Sequence, residues 1–287
     1  MQFTVKAAAP LMDFLMQALH GKSRTGVKSL LSKKLVTVDG ELITRFDHPL
    51  SEGQVVGIGK KPQGKTTALR GLKIIYEDEA VIVIDKEAGL LSVSTDLGKE
   101  RTAHGLVSAY VKRRNPKTKV LVVHRLDRDT SGIMMFVKDK DLQRHLRQNW
   151  QQSIETRSYL VVVEGIVEKD SGTIESFMHG TDSLRSYSSK RQEGGQKAVS
   201  RYKVLKRGKD HTLLEVELET GRKNQIRVHM QDIGHPVAGD SKYGAQGDKL
   251  GRLGLHAHVL AFTHPVTEKP MSFQSPAPAE FLKLFAP

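Results

Sequence analysis

A polar loop between two apolar runs is the feature that most constrains how this chain can fold. The runs cover residues 120–123 and 133–137 and are rich in Val, Ile and Met. Short apolar runs bounded by turn residues predict buried strands, so we expect residues 124–132 to form a loop at the strand ends. The loop ends in Thr-Ser-Gly, which favours a turn. The pattern therefore predicts a sheet that holds one polar loop on a rigid scaffold.

This loop carries a carboxylate among cationic side chains. Asp127 lies one residue from Arg128 and two from Arg125. Neighbouring guanidinium groups favour the ionised form of a carboxyl group. An ionised Asp on a rigid loop can act as a nucleophile, a general base or an electrostatic stabiliser. A salt-bridged structural loop is the alternative for a short Arg-x-Asp motif, but the whole nine-residue string favours a chemical role.

The charge balance indicates the kind of partner. The 287 residues have a formal net charge of +13, which points to a polyanion and to nucleic acid first. Apolar runs long enough to cross a bilayer and the apolar core of a signal peptide are both missing, so we expect a cytoplasmic monomer with no membrane partner. The chain has no Cys, which excludes disulfides and Cys-ligated metals.

The first quarter of the chain is strongly basic. Residues 1–70 contain 11 Lys and Arg against 5 Asp and Glu. Helical spacing of apolar residues predicts one helix near residues 11–19 and a second from Arg24 to about Lys33, capped by Ser23. An Asp-Gly turn at 39–40 predicts a hairpin. We predict a small domain at 1–59, a linker at 60–71 and a larger domain at 72–287.

Three motifs of the larger domain resemble one known family. The string His-Arg-Leu-Asp-Arg-Asp-Thr-Ser-Gly at 124–132 resembles the signature loop of the RluA-type pseudouridine synthases. Arg-Ser-Tyr at 157–159 and Thr-Gly-Arg-Lys-Asn-Gln-Ile-Arg at 220–227 extend the likeness. Two positions depart from the family pattern, because Glu87 stands where Pro is usual and Asn224 where His is common.

The resemblance implies roles for named residues. Asp127 would be the catalytic residue, Arg227 would pair with it, and Tyr159 would stack on the target base and assist proton movement. Whether Asp127 acts as nucleophile or base stays open. Neither a cofactor nor a metal ion is implied. The further substrate-binding candidates are His124, Arg125, Arg128, Thr130, Arg222, Gln225 and Ile226.

The basic first quarter resembles a second known module. Two short helices followed by a small hairpin, with a basic second helix, are similar to an S4 RNA-binding domain. The fold implied for the whole chain is α+β, with this S4-like domain beside a catalytic domain on a mixed, mainly antiparallel sheet. The RNA-binding candidates of the S4-like domain are Ser23, Arg24, Lys28, Lys33 and Lys34.

The expected activity is isomerisation of specific uridines in structured RNA to pseudouridine. Ribosomal RNA is the first expectation for the substrate and tRNA the second. The target uridine would have to leave its stack to reach a loop carboxylate, so we expect base flipping. Two alternatives are a catalytically inactive RNA-binding or ribosome-assembly factor and an aspartate-dependent hydrolase that acts on another polyanion.

Overall fold

The computed structural model divides the chain into two units, Met1–Lys65 and Thr66–Pro287. It describes all residues except 1, 6, 20, 33–35, 39–40, 59–66, 95–100, 181–184 and 286–287. The predicted Asp-Gly turn, Lys33, Lys34 and most of the predicted linker therefore lie outside the described residues. Among the described helices, none is long and apolar enough to span a membrane.

The first unit packs two helices against small antiparallel sheets. A four-stranded sheet has the order β1 (Gln2–Thr4), β6 (Val55–Ile58), β3 (Val36–Val38) and β4 (Glu41–Leu42), and β2 (Ala9–Pro10) pairs with β5 (Pro49–Leu50). The predicted second helix and its cap are confirmed, because the Ser23 hydroxyl accepts a hydrogen bond from the N–H of Gly26 at 3.2 Å. Val27 and Leu31 of this helix are buried in the core of the unit, while Arg24 and Lys28 are exposed. The elements are β1 (Gln2–Thr4), β2 (Ala9–Pro10), α1 (Leu11–Ala18), α2 (Arg24–Ser32), β3 (Val36–Val38), β4 (Glu41–Leu42), β5 (Pro49–Leu50) and β6 (Val55–Ile58).

The second unit is built on one sheet of 12 described strands with short helices around it. The strands are β7 (Thr67–Leu69), β8 (Leu72–Glu77), β9 (Val81–Lys86), β10 (Leu121–Val122), β11 (Ser131–Val137), β12 (Ile154–Glu164), β13 (Ser171–Gly180), β14 (Ser186–Ser189), β15 (Gln196–Arg207), β16 (His211–Leu218), β17 (Leu255–Thr263) and β18 (Pro270–Gln274). The helices are α3 (Ala103–Lys112), α4 (Lys140–Gln148), α5 (Trp150–Ser153), α6 (Gln225–Asp232) and α7 (Ala279–Lys283), with a 3-10 turn at Ser241–Tyr243.

The sheet is mixed and mainly antiparallel, which confirms the predicted fold class. Its main path is β14-β13-β15-β16-β12-β17-β11-β9-β8-β7, with β10 beside β11 and β18 beside β17. Among the described strand pairs, β11 and β17 alone are parallel. The last two residues of the predicted loop, Ser131 and Gly132, begin β11 and form this parallel pair, which therefore lies at the loop's end. The loop therefore opens from the middle of a long sheet.

Two details differ from the predictions. The predicted loop between two strands is confirmed, but the first run is a half-buried, two-residue strand rather than a buried one. The reason is that β10 pairs with β11 alone among the described strands and lies beside the main path of the sheet. Residues 67–69, which we placed in the linker, form β7 and pair with β8. The sheet thus begins earlier in the sequence than the composition indicated.

Gly132 is required where the parallel strands meet. Its φ is +109°, and a Cβ on this residue would lie 2.1 Å from the carbonyl oxygen of Ala257 on β17. We expect Gly132→Ala to destabilise the second unit by roughly 2–5 kcal/mol, because it combines backbone strain with a clash against a fixed strand. Urea unfolding of the full chain measures the change.

Gly194→Ala is the matched control for that prediction. Gly194 also has a positive φ, +70°, but nothing lies within 4 Å of its added Cβ. Gly194→Ala should therefore lower the free energy of unfolding by only about 1 kcal/mol, through backbone strain alone. Equal losses in the two variants would show that the approach of β11 to β17 does not constrain Gly132.

Candidate active site

The loop that carries Asp127 is fixed by hydrogen bonds on both sides of it. The Ser92 hydroxyl accepts from the N–H of Leu126 at 3.1 Å and donates to the carbonyl of the same residue at 2.6 Å. The Lys86 ammonium donates to the carbonyl of Arg128 at 2.9 Å. Because these bonds bracket Asp127, its carboxylate projects from a backbone with little freedom, as a pre-organised site requires.

Lys86 is buried and holds this loop by hydrogen bonds from its ammonium group. The residue is 1% exposed, and its ammonium also donates to the carbonyls of Glu87 at 3.0 Å and Leu90 at 2.8 Å. Burial lowers the pKa of Lys86 to about 8, although the charge of Asp129 opposes the shift. Three carbonyl acceptors thus replace water around the ammonium, which joins the end of β9 to the Asp127 loop.

Tyr159 reaches the loop because three neighbouring strands carry the site. Tyr159 of β12 lies opposite Ala257 of β17, and Ala257 lies opposite Gly132 at the start of β11. Adjacent strands are about 4.8 Å apart, so two such steps separate Tyr159 from the loop's end. Burial raises the pKa of Tyr159; Arg157 opposes this shift and Asp127 adds to it. The phenol is therefore protonated near neutral pH.

Arg227 contacts Asp127 through one nitrogen, and its two-pronged contact goes elsewhere. Nη1 of Arg227 lies 3.4 Å from Oδ2 of Asp127. Nε and Nη2 donate to the two carboxylate oxygens of Asp240 at 2.6 and 2.7 Å. The side chain of Asp240 is 1% exposed, whereas that of Asp127 is 33% exposed. Asp240 is therefore the main counter-ion of Arg227, and the carboxylate of Asp127 stays open to the pocket.

The guanidinium of Arg227 is held on its remaining sides by two further residues. It lies over the ring of Tyr243, 4.7 Å from the ring centroid, and Nη1 donates to the amide oxygen of Asn224 at 3.3 Å. Burial lowers the pKa of Arg227, but the hydrogen bonds and charge of Asp240 more than offset this, so the pKa lies above its ordinary value. A permanent cation is thus fixed beside Asp127.

A pocket of about 80 Å³ gathers most of the predicted site residues. Asp127, Tyr159 and Arg227, the three predicted catalytic residues, all line it. The predicted substrate-binding residues that also line it are Arg125, Thr130, Arg222, Gln225 and Ile226. The pocket is therefore a polar recess with one carboxylate, several guanidinium groups and an aromatic wall.

His124 and Arg128 lie outside this pocket. His124 lines a neighbouring groove, where its Nε2 accepts from the N–H of Met135 at 3.0 Å and its ring packs on Trp150 at 4.8 Å between centroids. Burial lowers the pKa of His124 to about 3, so its imidazole is neutral. Arg128 is exposed, forms a fork to Asp129 and lines a larger cleft of about 1280 Å³.

Gln225 is bound within the protein rather than open to a ligand. Its amide oxygen accepts from the Thr220 hydroxyl at 2.8 Å and the Arg222 N–H at 3.0 Å. Its amide nitrogen donates to the Val199 carbonyl and the Ser200 hydroxyl, each at 3.0 Å. These four bonds use its amide groups, so Gln225 positions the turn before α6.

The described residues offer no metal site, since no three His, Asp or Glu side chains among them are grouped to hold an ion. Asp127 and Asp129 are separated by Arg128, whose guanidinium binds Asp129. A cation placed between these carboxylates would meet that positive charge.

Residues 80–232 match the family model described as RNA pseudouridylate synthase. The chain belongs to the RluA family of RNA pseudouridine synthases. It is 37% identical over 217 residues to the uncharacterized RNA pseudouridine synthase YhcT of Bacillus subtilis (strain 168), covering 74% of this chain and 71% of that protein. It is 33% identical over 280 residues to ribosomal large subunit pseudouridine synthase D of Pseudomonas aeruginosa, covering 92% of this chain and 87% of that protein.

The fold of this pseudouridine synthase also matches a solved structure. Human RNA pseudouridylate synthase domain containing 4 aligns with a TM-score of 0.60 at 23% identity, covering 74% of this chain and 90% of the human one. At that identity the likeness supports the fold alone. The prediction that the chain is a pseudouridine synthase enzyme is confirmed by the family match.

The two departures of this synthase from the family pattern have structural explanations. Glu87 donates its backbone N–H to the Gly71 carbonyl at 2.9 Å, a bond that proline cannot form. Asn224 has φ +57°, a left-handed conformation that Asn tolerates better than most residues. Its amide nitrogen donates to the Tyr243 hydroxyl at 2.9 Å while its oxygen accepts from Arg227.

Sequence reasoning missed Lys86, Asp240 and Tyr243 as parts of the synthase site. Lys86 belonged to a stretch noted only for its likeness to the family. Asp240 and Tyr243 lie outside the three motifs that carry the resemblance. Lys86 is the last residue of β9, whose first four residues are apolar and β-branched, and a charged residue at the end of a buried strand was the available signal for it. Nothing in the spacing showed that Asp240 would bind Arg227.

Proposed function

We propose that this synthase converts uridines of large-subunit ribosomal RNA to pseudouridine, with Asp127 as the catalytic residue and without a cofactor. The observation that carries the proposal is the pocket in which Asp127, Tyr159 and Arg227 meet. The cationic groups around it suit an RNA substrate, whose backbone is negatively charged. The relative from Pseudomonas aeruginosa, ribosomal large subunit pseudouridine synthase D, supports this choice of RNA.

The reaction needs no electron transfer. The C1′–N1 bond of uridine breaks, the uracil turns, and a C5–C1′ bond forms. The proton that leaves C5 is balanced by the proton gained at N1, so the product is an isomer of the substrate. One ionised carboxylate near the ribose can serve as nucleophile at C1′ or as base at the sugar, and both roles require Asp127.

The surroundings of Asp127 suit either role. Arg227 contacts Asp127 through a single nitrogen, while Asp240 takes the stronger, two-pronged contact. The carboxylate therefore keeps an open oxygen toward the pocket. Tyr159 supplies a flat wall on which a flipped uracil can stack, with a protonated hydroxyl at its edge.

The RNA class can be tested in cells that lack the gene for this chain. We propose that pseudouridines disappear from large-subunit ribosomal RNA, and that re-expression of the wild-type chain restores them. Loss confined to tRNA would move the substrate to the second RNA class. Unchanged pseudouridine in both classes would overturn the proposed substrate while leaving the family assignment intact.

The first unit is proposed to act as an S4-like RNA-binding domain. Arg24 and Lys28 are exposed on α2, so their charges are available to phosphates. We expect the double variant Arg24→Gln/Lys28→Gln to flatten the salt dependence of RNA binding by about 1.4 to 1.8 units of log–log slope. Its single-turnover rate at saturating RNA should match that of the wild type.

Arg45→Gln is the control for this unit. Arg45 is also exposed but is already paired with Asp47 at 2.9 Å. It should leave the salt slope unchanged. An unchanged slope in the double variant would show that α2 does not contact RNA phosphates, and a lost single-turnover rate would show that the first unit helps to build the active site.

A further inference from the structure

A groove of about 530 Å³ opens beside the pocket where Asp127, Tyr159 and Arg227 meet, which we call the uridine pocket. Four residues line both the groove and the uridine pocket. The shared residues are Arg125, Tyr159, Leu218 and Arg222. The groove extends from there to Arg147 at the end of α4 and to Trp150 of α5. Among the described residues that line the groove, four are arginines and none is Asp or Glu. In having no carboxylate, the groove differs from the larger cleft of about 1280 Å³, which contains several.

Arg157 is the central cation of the groove. Its Nη2 donates to the Leu218 carbonyl at 3.3 Å, and its guanidinium lies 6.0 Å from the ring centroid of Trp150. A Cβ on Gly221 would come within 2.7 Å of Nη1, so the guanidinium lies close against the turn before α6. Within the described part of the chain it has no carboxylate partner.

A partly buried arginine without a counter-ion is an unfavourable arrangement in a free protein. Burial lowers the pKa of Arg157, and the one charge that opposes the shift is that of ionised Tyr159, which is protonated near neutral pH. Buried charges are normally paired, and an external anion would pair this one. The aromatic ring of Trp150 keeps the guanidinium in place by a cation–π contact but does not neutralise it.

We propose that this groove binds a backbone phosphate of the RNA strand next to the flipped uridine. The inference rests on the proposed function, because the groove opens directly into the uridine pocket through Arg125 and Tyr159. Arg157 pairs with the phosphate, and Arg147 at the outer end meets the strand as it leaves. The neutral ring of His124 packs on Trp150 and adds no charge.

The test compares two arginines of one helix in the full-length protein. Arg147 lines the groove, whereas Arg144 is an exposed neighbour paired with Asp141 at 3.0 Å. The probe is a fluorescently labelled oligouridylate of ten nucleotides, and the measurement is its affinity at a series of salt concentrations. Arg147→Gln should flatten the log–log salt slope by about 0.7, which makes the loss of affinity between 50 and 200 mM salt about 2.6 times smaller. Arg144→Gln should match the wild type.

Arg157 is tested by substitution with and without charge. Arg157→Gln should also flatten the slope by about 0.7, and Arg157→Lys should restore the wild-type slope because the charge is kept. Thermal unfolding of each variant shows whether the second unit remains folded, and Arg147→Gln keeps the test valid if Arg157→Gln does not fold. A slope equal to the wild type in folded Arg147→Gln and Arg157→Gln overturns the inference. The inference is also overturned if Arg144→Gln flattens the salt slope as much as the groove variants do.

The outcome is separable from that of the proposed function. Oligouridylate binding is measured without any isomerisation. If the wild type forms pseudouridine but the groove variants keep the wild-type slope, the groove assignment fails alone. If the slopes change as expected but the wild type forms no pseudouridine in ribosomal RNA, the proposed function fails and the phosphate site stands.

Discussion

Asp127→Asn should abolish isomerisation while it leaves folding and RNA affinity nearly intact. The substitution keeps the shape of the side chain and removes its charge, so neither a nucleophile nor a base remains in the pocket. A loss of roughly a thousandfold or more is expected for such a residue. Stability should change by less than about 0.5 kcal/mol, because Arg227 keeps its stronger partner, Asp240.

Single-turnover conversion of uridine at saturating RNA measures this loss. Asp129→Asn is the matched control, since it makes the same change two residues along the same loop. Asp129 is paired with Arg128 and does not line the uridine pocket. Its variant should retain most of the turnover. Substantial turnover by Asp127→Asn, or an equal loss in both variants, would contradict the role of Asp127.

The second large effect concerns the ion pair behind Asp127. Arg227→Gln should abolish isomerisation, because Asp127 loses the guanidinium that contacts it. It should also destabilise the second unit, because it leaves the buried carboxylate of Asp240 without its counter-ion. Breaking a buried pair by removing one partner costs about 3–5 kcal/mol. For a unit of this size the thermal midpoint should fall by about 10 °C.

The double variant Arg227→Gln/Asp240→Asn separates the two losses. Replacing both charges by amides leaves no unpaired buried charge, so most of the thermal midpoint should return. Isomerisation should stay lost, because the guanidinium that pairs with Asp127 is gone. Arg227→Lys should have a thermal midpoint between those of Arg227→Gln and the double variant. Its turnover should remain impaired, since one ammonium cannot span both oxygens of Asp240 and reach Asp127.

Thermal unfolding and single-turnover conversion are measured on the same preparations. A wild-type midpoint in Arg227→Gln would show that Asp240 does not depend on Arg227. Wild-type turnover in the double variant would show that the cation is not needed for the chemistry. Either result would contradict the geometry of the pair.

Local patterns predicted the elements that depend on neighbouring residues. The loop around Asp127, the cap at Ser23 and the second helix follow from turn chemistry, capping and periodicity. The likeness of the motifs to one family also placed Asp127, Tyr159 and Arg227 in one pocket, as the structure has them. These features could be predicted because short stretches of sequence specify them.

Features that join distant parts of the chain could not be predicted. Gly132 and Ala257 lie 125 positions apart, and no local signal shows that their strands run parallel. The fork of Arg227 to Asp240 spans a turn of irregular conformation, so no helical or strand period relates the two residues. The neutral state of His124 likewise depends on burial by residues far along the chain.

Formation of pseudouridine by the purified full-length chain tests the central claim most directly. Unmodified large-subunit ribosomal RNA transcript is incubated with the protein and a metal chelator, without added nucleotide. The RNA is then digested to nucleosides, and pseudouridine is separated from its isomer uridine by liquid chromatography before it is quantified by mass spectrometry. The account predicts pseudouridine with the wild type and none with Asp127→Asn at equal RNA binding. Bound RNA without any pseudouridine from the wild type would contradict it and favour an RNA-binding factor without catalysis.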